Sequence, residues 1–135
     1  MYFSMPYLPE ASVNHSHMRS RSTGRPIKKP EAKKWQMVLA AQVRTWADER
    51  RIVLPSGGHV VIWLTAEFPK QGGTRPNPDN FLKIAQDAIA EGLGTDDDVY
   101  PFYARVKTAV YNQPPHQGNL HYEVLINAQE ENSTP

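Results

Sequence analysis

The stretch Arg75–Asp98, RPNPDNFLKIAQDAIAEGLGTDDD, predicts a capped helix with acidic residues beside both of its ends. Asn77 is a favourable N-cap, and Pro78 at the first helical position has no N–H group that would be left unpaired. Apolar residues recur at steps of three and four, which places them on one face of a helix: Phe81, Ile84, Ala85, Ala88 and Ile89. We therefore predict a helix that begins after Asn77 and packs this face against a core.

Polar residues of the same helix fall on a second face. Asp79 lies in the first turn, where the helix dipole favours a negative charge, and Lys83 and Asp87 follow at steps of four residues. Glycines at positions 92 and 94 indicate the end of the helix. The chain then turns into three consecutive aspartates: Asp96, Asp97 and Asp98. Carboxylates are thus predicted beside both ends of the helix.

Carboxylates gathered this closely repel one another unless a cation lies between them. Mg²⁺ is the ion that such a site typically holds, because it takes oxygen ligands and keeps water for chemistry; Mn²⁺ is the alternative ion. A purely structural interpretation stays open, since a capped helix with a ladder of Asp79, Lys83 and Asp87 needs no function. Each pair of such a ladder contributes only ~0.3–0.5 kcal/mol. The joint occurrence of the acids with a lysine favours a functional site.

Basic residues are concentrated upstream of the acidic stretch. Between Arg19 and Lys34 the chain has seven cations and one acid, a net charge of +6, although the whole chain carries only +1. Such cations bind the phosphates of nucleic acids, although a solvated loop has the same composition. We interpret the segment and its surroundings as contacts to DNA, with these candidate residues: Asn14, His17, Arg19, Arg21, Arg25, Lys28, Lys29 and Arg75.

The acidic stretch resembles the signature of the RusA-type Holliday junction resolvases, which are small dimeric Mg²⁺-dependent DNA endonucleases. That signature has Asp-x-Asp-Asn, two further residues and Lys, and DNFLK at residues 79–83 is similar to its core. Residues 87–89 resemble the middle of the signature, Asp96-Asp97 its acidic pair, and residues 103–107 the strand that carries a lysine. The resemblance covers most of the chain and includes a weaker similarity over residues 6–14 to the family's Pro-Pro-Ser-x-Asn start.

The resemblance implies a fold, a partner and a role for each site residue. It implies a homodimer that binds branched DNA, so that two active sites can face two strands of a four-way junction. Asp79 and Asp97 would be catalytic and would hold one or two Mg²⁺ ions. Lys83 would orient the attacking water or stabilise the transition-state phosphate, and Asn80 would brace the site.

One departure from the family pattern concerns Asn77, which stands where the family has its first aspartate. An amide oxygen can ligate a hard cation, but it brings no charge and cannot act as a base. The metal ligands would therefore include Asn77 and a neighbouring acid, Asp98 or Asp96. Alignment on Lys107 makes Asp97 the equivalent of the family's second catalytic aspartate and keeps Asp98 as a candidate. Two alternatives stay open: a protein of the same fold that binds branched DNA without cutting it, and a small structural or regulatory protein.

Composition favours a single folded domain over residues 1–135. The chain is 39% hydrophobic and 21% charged, which is typical of a globular protein. It has no cysteine, so disulfides and thiolate metal sites are excluded and a cytoplasmic location is expected. No apolar run approaches the ~20 residues of a membrane span, so no membrane partner is expected. The five histidines show no zinc-ligand spacing, and we interpret them as surface residues.

The hydrophobic pattern also predicts the order of the remaining elements. These are a strand over 2–8, a polar, basic loop over 9–29, a helix over about 30–51, strands over 59–68, 99–111 and 121–128, and a frayed tail over 129–135. The long helix has one apolar stripe: Trp35, Val38, Leu39, Val43 and Trp46. A hairpin connection over 112–118 is expected to join the last two strands. We therefore predict an α+β fold in which two helices pack on one face of a small mixed sheet.

Overall fold

A computed structural model describes residues 1–69, 75–112 and 117–128, which fold into two α-helices and a four-stranded mixed sheet with a separate two-stranded ribbon. The strands are β1 (Tyr2–Pro6), β2 (His17–Arg19), β3 (Pro26–Lys28), β4 (His59–Pro69), β5 (Phe102–Asn112) and β6 (Asn119–Asn127). The helices are α1 (Pro30–Glu49) and α2 (Lys83–Gly92), and single turns of 3-10 helix span Pro9–Ala11 and Pro78–Phe81. The predicted α+β class is confirmed. None of the described helices is long and apolar enough to cross a membrane.

The four-stranded sheet has the order β1–β6–β4–β5. Strands β4 and β5 are parallel, and the chain between them contains α2. Strand β6 is antiparallel to both β1 and β4. The predicted hairpin of the last two strands is therefore wrong, because β5 occupies one edge of β4 and β6 pairs along the other. Residues 113–116 of that connection and the predicted tail over 129–135 lie outside the described residues.

Alternate residues of the central strands face the helices. In β4 the inward side chains are fully buried, and the side chains between them are half-buried. Strand β6 shows the same alternation. The inward residues of the two strands are Val60, Ile62, Leu64, Ala66, Phe68, Leu120, Tyr122 and Val124. Because side chains alternate along a strand, one face of the sheet carries the core and the other faces outward, as predicted.

Helix α1 confirms the predicted helix over 30–51 to within two residues and buries most of the predicted stripe. Trp35, Leu39 and Val43 are buried, and Trp46 packs partly buried against the same core. The prediction is wrong for Val38, which is 43% exposed. Small residues occupy the remaining core-facing positions of the helix: Ala32, Ala40 and Ala47.

The segment before α2 is not the regular start of an α-helix that the sequence predicts. Residues Pro78–Phe81 form a 3-10 turn, and α2 begins at Lys83. The carbonyl of Asn80 accepts a hydrogen bond from the N–H of Val13 at 2.9 Å. The hydroxyl of Tyr122 donates a hydrogen bond to the carbonyl oxygen of Phe81 at 2.8 Å. These tertiary contacts engage carbonyls that an α-helix would use for its own hydrogen bonds, so the first turn adopts another geometry.

The segment over 9–29, predicted as a loop, contains an antiparallel hairpin of β2 and β3 in which Met18 lies opposite Ile27. Buried Ser16 accepts a hydrogen bond at its carbonyl from the N–H of Lys29 at 2.7 Å, which closes the base of the hairpin. The loop prediction is wrong here, because each strand has only three residues, too few for an alternating pattern to be recognised, and neither strand alternates between buried and exposed side chains.

The two helices lie in close contact at Gly92, the last residue of α2. A Cβ atom added there would lie 2.6 Å from Val43 Cβ and 2.7 Å from the carbonyl oxygen of Ala40. The glycine end predicted for this helix is confirmed, and Gly94 beyond it has a left-handed φ of 77°. The absence of a side chain at Gly92 therefore permits this close contact between the helices.

We predict that Gly92→Ala destabilises the fold by about 1–3 kcal/mol, because the new methyl group overlaps α1. Helix propensity alone would change stability in the opposite direction by up to ~1 kcal/mol, so the sign of the effect identifies its cause. The measurement is urea unfolding of both proteins. Gly94→Ala is the control. No atom beyond the glycine and its chain neighbours lies within 4 Å of a Cβ added at Gly94, so this variant tests only the strain of a left-handed backbone conformation. A more stable Gly92→Ala variant would contradict the close packing.

Candidate metal centre

A cluster of one lysine and two carboxylates joins α2 to the loop that follows it. Lys83 Nζ donates to Asp97 Oδ2 at 2.8 Å and to Asp87 Oδ1 at 2.9 Å. Gln86 Nε2 donates to the same oxygen of Asp97 at 2.9 Å. Two donors on one face of α2 therefore hold Asp97 in place.

The loop itself is organised by Asp96. Its Oδ1 accepts hydrogen bonds from the N–H groups of Asp98 at 2.9 Å and Val99 at 3.0 Å. Its carbonyl accepts from the N–H of Tyr100 at 3.0 Å. Because these residues form a turn, β5 begins later than the strand predicted over 99–111.

The three consecutive aspartates bring their carboxylates together. Each offers one oxygen, and these oxygens all lie within 4.8 Å of one another. Asp96 and Asp98 are exposed and Asp97 is half-buried. Among the described residues, this is the only group of three or more acidic or histidine side chains with that spacing. A donor set made only of carboxylate oxygens fits a hard divalent ion such as Mg²⁺ or Mn²⁺.

The contact between Lys83 and Asp97 shifts the pKa of each group in the direction that favours its charged form. The hydrogen bond from Lys83 lowers the pKa of Asp97; partial burial opposes this effect and the amide of Gln86 adds to it. The hydrogen bonds to Asp97 and then to Asp87 raise the pKa of Lys83, against a smaller effect of burial. Both groups are therefore charged at neutral pH, and Lys83 supplies positive charge among the aspartates.

The residues at the other end of the predicted signature occupy the 3-10 turn. Asn77 caps this turn, because its side-chain oxygen accepts a hydrogen bond from the N–H of Asp79 at 3.0 Å. Asp79 is exposed and is not a member of the group of three aspartates. Among the described residues, Asp79 forms no ion pair with Lys83, which turns toward Asp87 and Asp97 instead. The structure thus joins Lys83, at the start of α2, to Asp97 of the loop, where Asp98 is its neighbour, and leaves Asp79 in the 3-10 turn.

The predicted DNA-binding residues lie mainly on the ribbon of β2 and β3. Arg19, Arg21 and Arg25 are exposed on it, and Arg19 Nη1 donates to the carbonyl of Gly24 at 3.2 Å. Exposed Asn14 lies before the ribbon, whereas Lys29, half-buried, follows it. His17 Nδ1 is hydrogen-bonded to Ser16 Oγ at 2.7 Å. Arg75 lies elsewhere, with its guanidinium 5.3 Å from the centre of the Tyr111 ring.

A cleft of about 500 Å³ connects the acidic loop with α1. It is lined by Asp87, Asp96 and Asp97 on one side and by Gln36 and Arg44 of α1 on the other. The side chain of Gln36 in turn accepts a hydrogen bond from Lys28 Nζ at the base of the ribbon. Gln36 therefore links the base of the basic ribbon to the acidic cleft.

The sequence interpretation missed three polar residues of this surface: Gln36, Arg44 and Gln86. Gln86 lies three residues after Lys83, a spacing that places two side chains on the same helix face, so periodicity could have identified it. Arg44 donates to the carbonyl of Glu91 at 2.9 Å, near the end of α2. Nothing in the sequence indicates that α1 and α2 meet there. The sequence therefore contains no pattern from which Gln36 and Arg44 could have been identified as residues of this surface.

Comparison with known proteins adds no assignment to this geometry. No family model matches the chain, and no match is found among curated proteins.

We predict that Lys83→Met raises the pKa of Asp97, because the hydrogen bond from Lys83 is the largest cause of its depression. An aspartate with a lowered pKa stabilises the fold above its unfolded-state pKa of about 4, and this contribution is lost as the pH falls. The raised pKa of Lys83 has the opposite sign: its contribution is lost only as the pH rises above about 10.4. The free energy of unfolding should therefore decline less in the variant than in the native protein between about pH 5 and pH 2.

The measurement is a pH titration of carboxyl carbon shifts by NMR, paired with urea unfolding at each pH. Lys33→Met on α1 is the matched control, since it removes an exposed ammonium outside the contact. An unchanged pKa of Asp97 in Lys83→Met would show that the contact between the two groups does not persist in solution.

Proposed function

We propose that the chain is a metal-dependent DNA endonuclease that cuts branched DNA, as its resemblance to the RusA-type resolvases implies. One observation carries the proposal: Asp97 belongs to a compact group of three carboxylates and is also hydrogen-bonded to Lys83. Acidic ligands for a divalent ion beside a cation are the groups that metal-dependent phosphodiester hydrolysis uses.

The aspartates supply the ligands in this proposal. Lys83 and Gln86 both bond Oδ2 of Asp97, so the Oδ1 atom is left to ligate an ion. Asp98 adds a carboxylate, and Asp96 has one oxygen beyond the one that organises the loop. When bound, Mg²⁺ or Mn²⁺ would activate a water molecule and offset charge on the phosphate. Asp79 is proposed as a further ligand, four residues before Lys83.

Lys83 has two functions in the proposal. Without an ion it neutralises part of the repulsion among the aspartates, since it contacts Asp87 and Asp97 together. With DNA present, its ammonium would orient the attacking water or stabilise charge on the phosphate. Its side chain is 56% exposed, so a phosphate can reach it from solvent. Asn80 is proposed to brace the site, and its carbonyl already joins the turn to Val13.

The ribbon of β2 and β3 is proposed to hold the DNA backbone. Its arginines are exposed, and half-buried Lys28 ties its base to Gln36, which lines the acidic cleft. Phosphates bound along the ribbon would direct the strand toward Asp97. We further propose a RusA-like homodimer in the cytoplasm, acting in recombination and repair on four-way junctions.

A second candidate is a protein of the same fold that binds branched DNA and cuts it weakly or not at all. The observation that favours it is the role of Asn77, whose side-chain oxygen is engaged as the cap of the 3-10 turn. An amide in that role brings no charge to an ion, whereas the family has a carboxylate at this position.

We predict that Asp97→Asn abolishes junction cleavage, by at least about a hundredfold, and leaves junction binding unchanged or tighter. The lost carboxylate weakens the ion site, and its lost charge reduces repulsion of DNA. Cleavage and gel-shift assays on a synthetic four-way junction measure the two effects. Asp79→Asn tests the proposed further ligand in the same assays, and Glu31→Gln, on an exposed side chain of α1, controls for loss of charge. Cleavage by Asp97→Asn at the native rate would refute the assignment.

We predict that Asn77→Asp lowers the Mg²⁺ concentration for half-maximal cleavage, or creates cleavage where the native chain has none. The substitution preserves side-chain size and capping while adding a charge that attracts the ion. The measurement is a Mg²⁺ titration of junction cleavage by both proteins. If the native protein cuts well and the titration is unchanged, Asn77 is only a helix cap and the aspartates of the loop are sufficient.

A further inference from the structure

Helix α1 carries a second stripe that points away from the core. Its residues recur at alternating steps of four and three, the spacing of a coiled-coil seam: Lys34, Val38, Ala41, Thr45 and Asp48. All five are exposed. The stripe is distinct from the core-facing residues of the helix and from the acidic cleft, and nothing in the proposed nuclease site uses it.

The middle of this stripe is apolar and bordered by shallow grooves. Met37 is 67% exposed and Val38 is 43% exposed, although both lie on a well-formed helix. A groove of about 460 Å³ lies toward the N-terminal end of α1 and one of about 630 Å³ lies toward its C-terminal end. Val38 and Ala41 line both grooves, and Tyr2 and Trp46 contribute to the larger one. The surface therefore offers an apolar strip with a small residue at its centre.

The charges at the two ends of the stripe are opposite. Lys34 lies seven residues before Ala41, and Asp48 lies seven residues after it. Among the described residues, neither Lys34 nor Asp48 forms an ion pair within its own chain. A two-fold axis through Ala41 would place Lys34 of each copy opposite Asp48 of the other, and Met37 opposite Thr45. The stripe is thus complementary to itself in one orientation only, the antiparallel one.

We propose that this stripe binds the same stripe of a second copy of the chain, with the two α1 helices antiparallel and crossing at Ala41. The inference specifies the homodimer that is part of the proposed function. The small side chain at the crossing lets the helices approach, and Met37 and Val38 fill the grooves of the partner copy. The two Lys34–Asp48 contacts set the register and the orientation.

Charge exchange tests this interface. Sedimentation equilibrium gives the dimer dissociation constant of the full chain and of each variant. Lys34→Glu and Asp48→Lys should each raise it by at least about tenfold, because either one creates two like-charge contacts. The double variant Lys34→Glu/Asp48→Lys should return the constant to near the native value. An equimolar mixture of the two single variants should form heterodimers, since each supplies the charge that the other needs.

Two further variants test the apolar part of the interface and a surface outside it. Met37→Ala should weaken the dimer without changing its charge. Arg105→Glu, on the exposed face of β5, is the control and should leave the dimer intact. A monomeric native protein would overturn both the interface and the proposed homodimer. A native dimer that is insensitive to the Lys34 and Asp48 exchanges, or that Arg105→Glu dissociates, would overturn the interface alone. Junction cleavage measured on the same proteins separates either result from the fate of the nuclease proposal.

Discussion

The parallel pairing of β4 with β5 is the constraint on which the candidate site depends. Two parallel neighbours cannot be joined by a tight turn, so the chain must cross over, and here the crossover contains α2. Lys83 stands at the start of that helix, and the aspartate loop connects its end to β5. The hydrogen bond from Lys83 to Asp97 joins the start of the crossover helix to the loop that follows it. It also places a cation among carboxylates that would otherwise repel one another.

Much of the fold follows from local sequence signals. β-Branched and aromatic residues identified β4, alternation identified β6, and helical periodicity identified α1 and α2. The glycines after residue 91 marked the end of α2. The three aspartates were recognised as a group because they are adjacent in sequence, and adjacency in a tight turn brings their oxygens together. Lys83 could be tied to Asp87 from helix spacing alone. These features depend on residues that are close together in sequence, so hydrophobic pattern and secondary-structure propensity are sufficient to predict them.

The remaining features depend on contacts between distant segments. The position of β6 between β1 and β4 is set by which edge of β4 is free, and no local pattern encodes this. The 3-10 turn before α2 results from tertiary hydrogen bonds to Val13 and Tyr122. For the same reason Asp79 lies in a turn outside the aspartate group, although the family signature places it in the site. Gln36 and Arg44 line the cleft because α1 packs against α2, a contact that no local sequence pattern indicates.

We propose that the aspartate loop and Lys83 form a metal-dependent nuclease site for branched DNA. The most direct measurement is incubation of the native protein with a labelled synthetic four-way junction and a linear duplex of the same sequence, with Mg²⁺, with Mn²⁺ and with EDTA. We expect paired cuts in the junction with either ion, little cutting of the duplex, and none in EDTA. Junction binding without cleavage under every condition, or equal cleavage in EDTA, would contradict it.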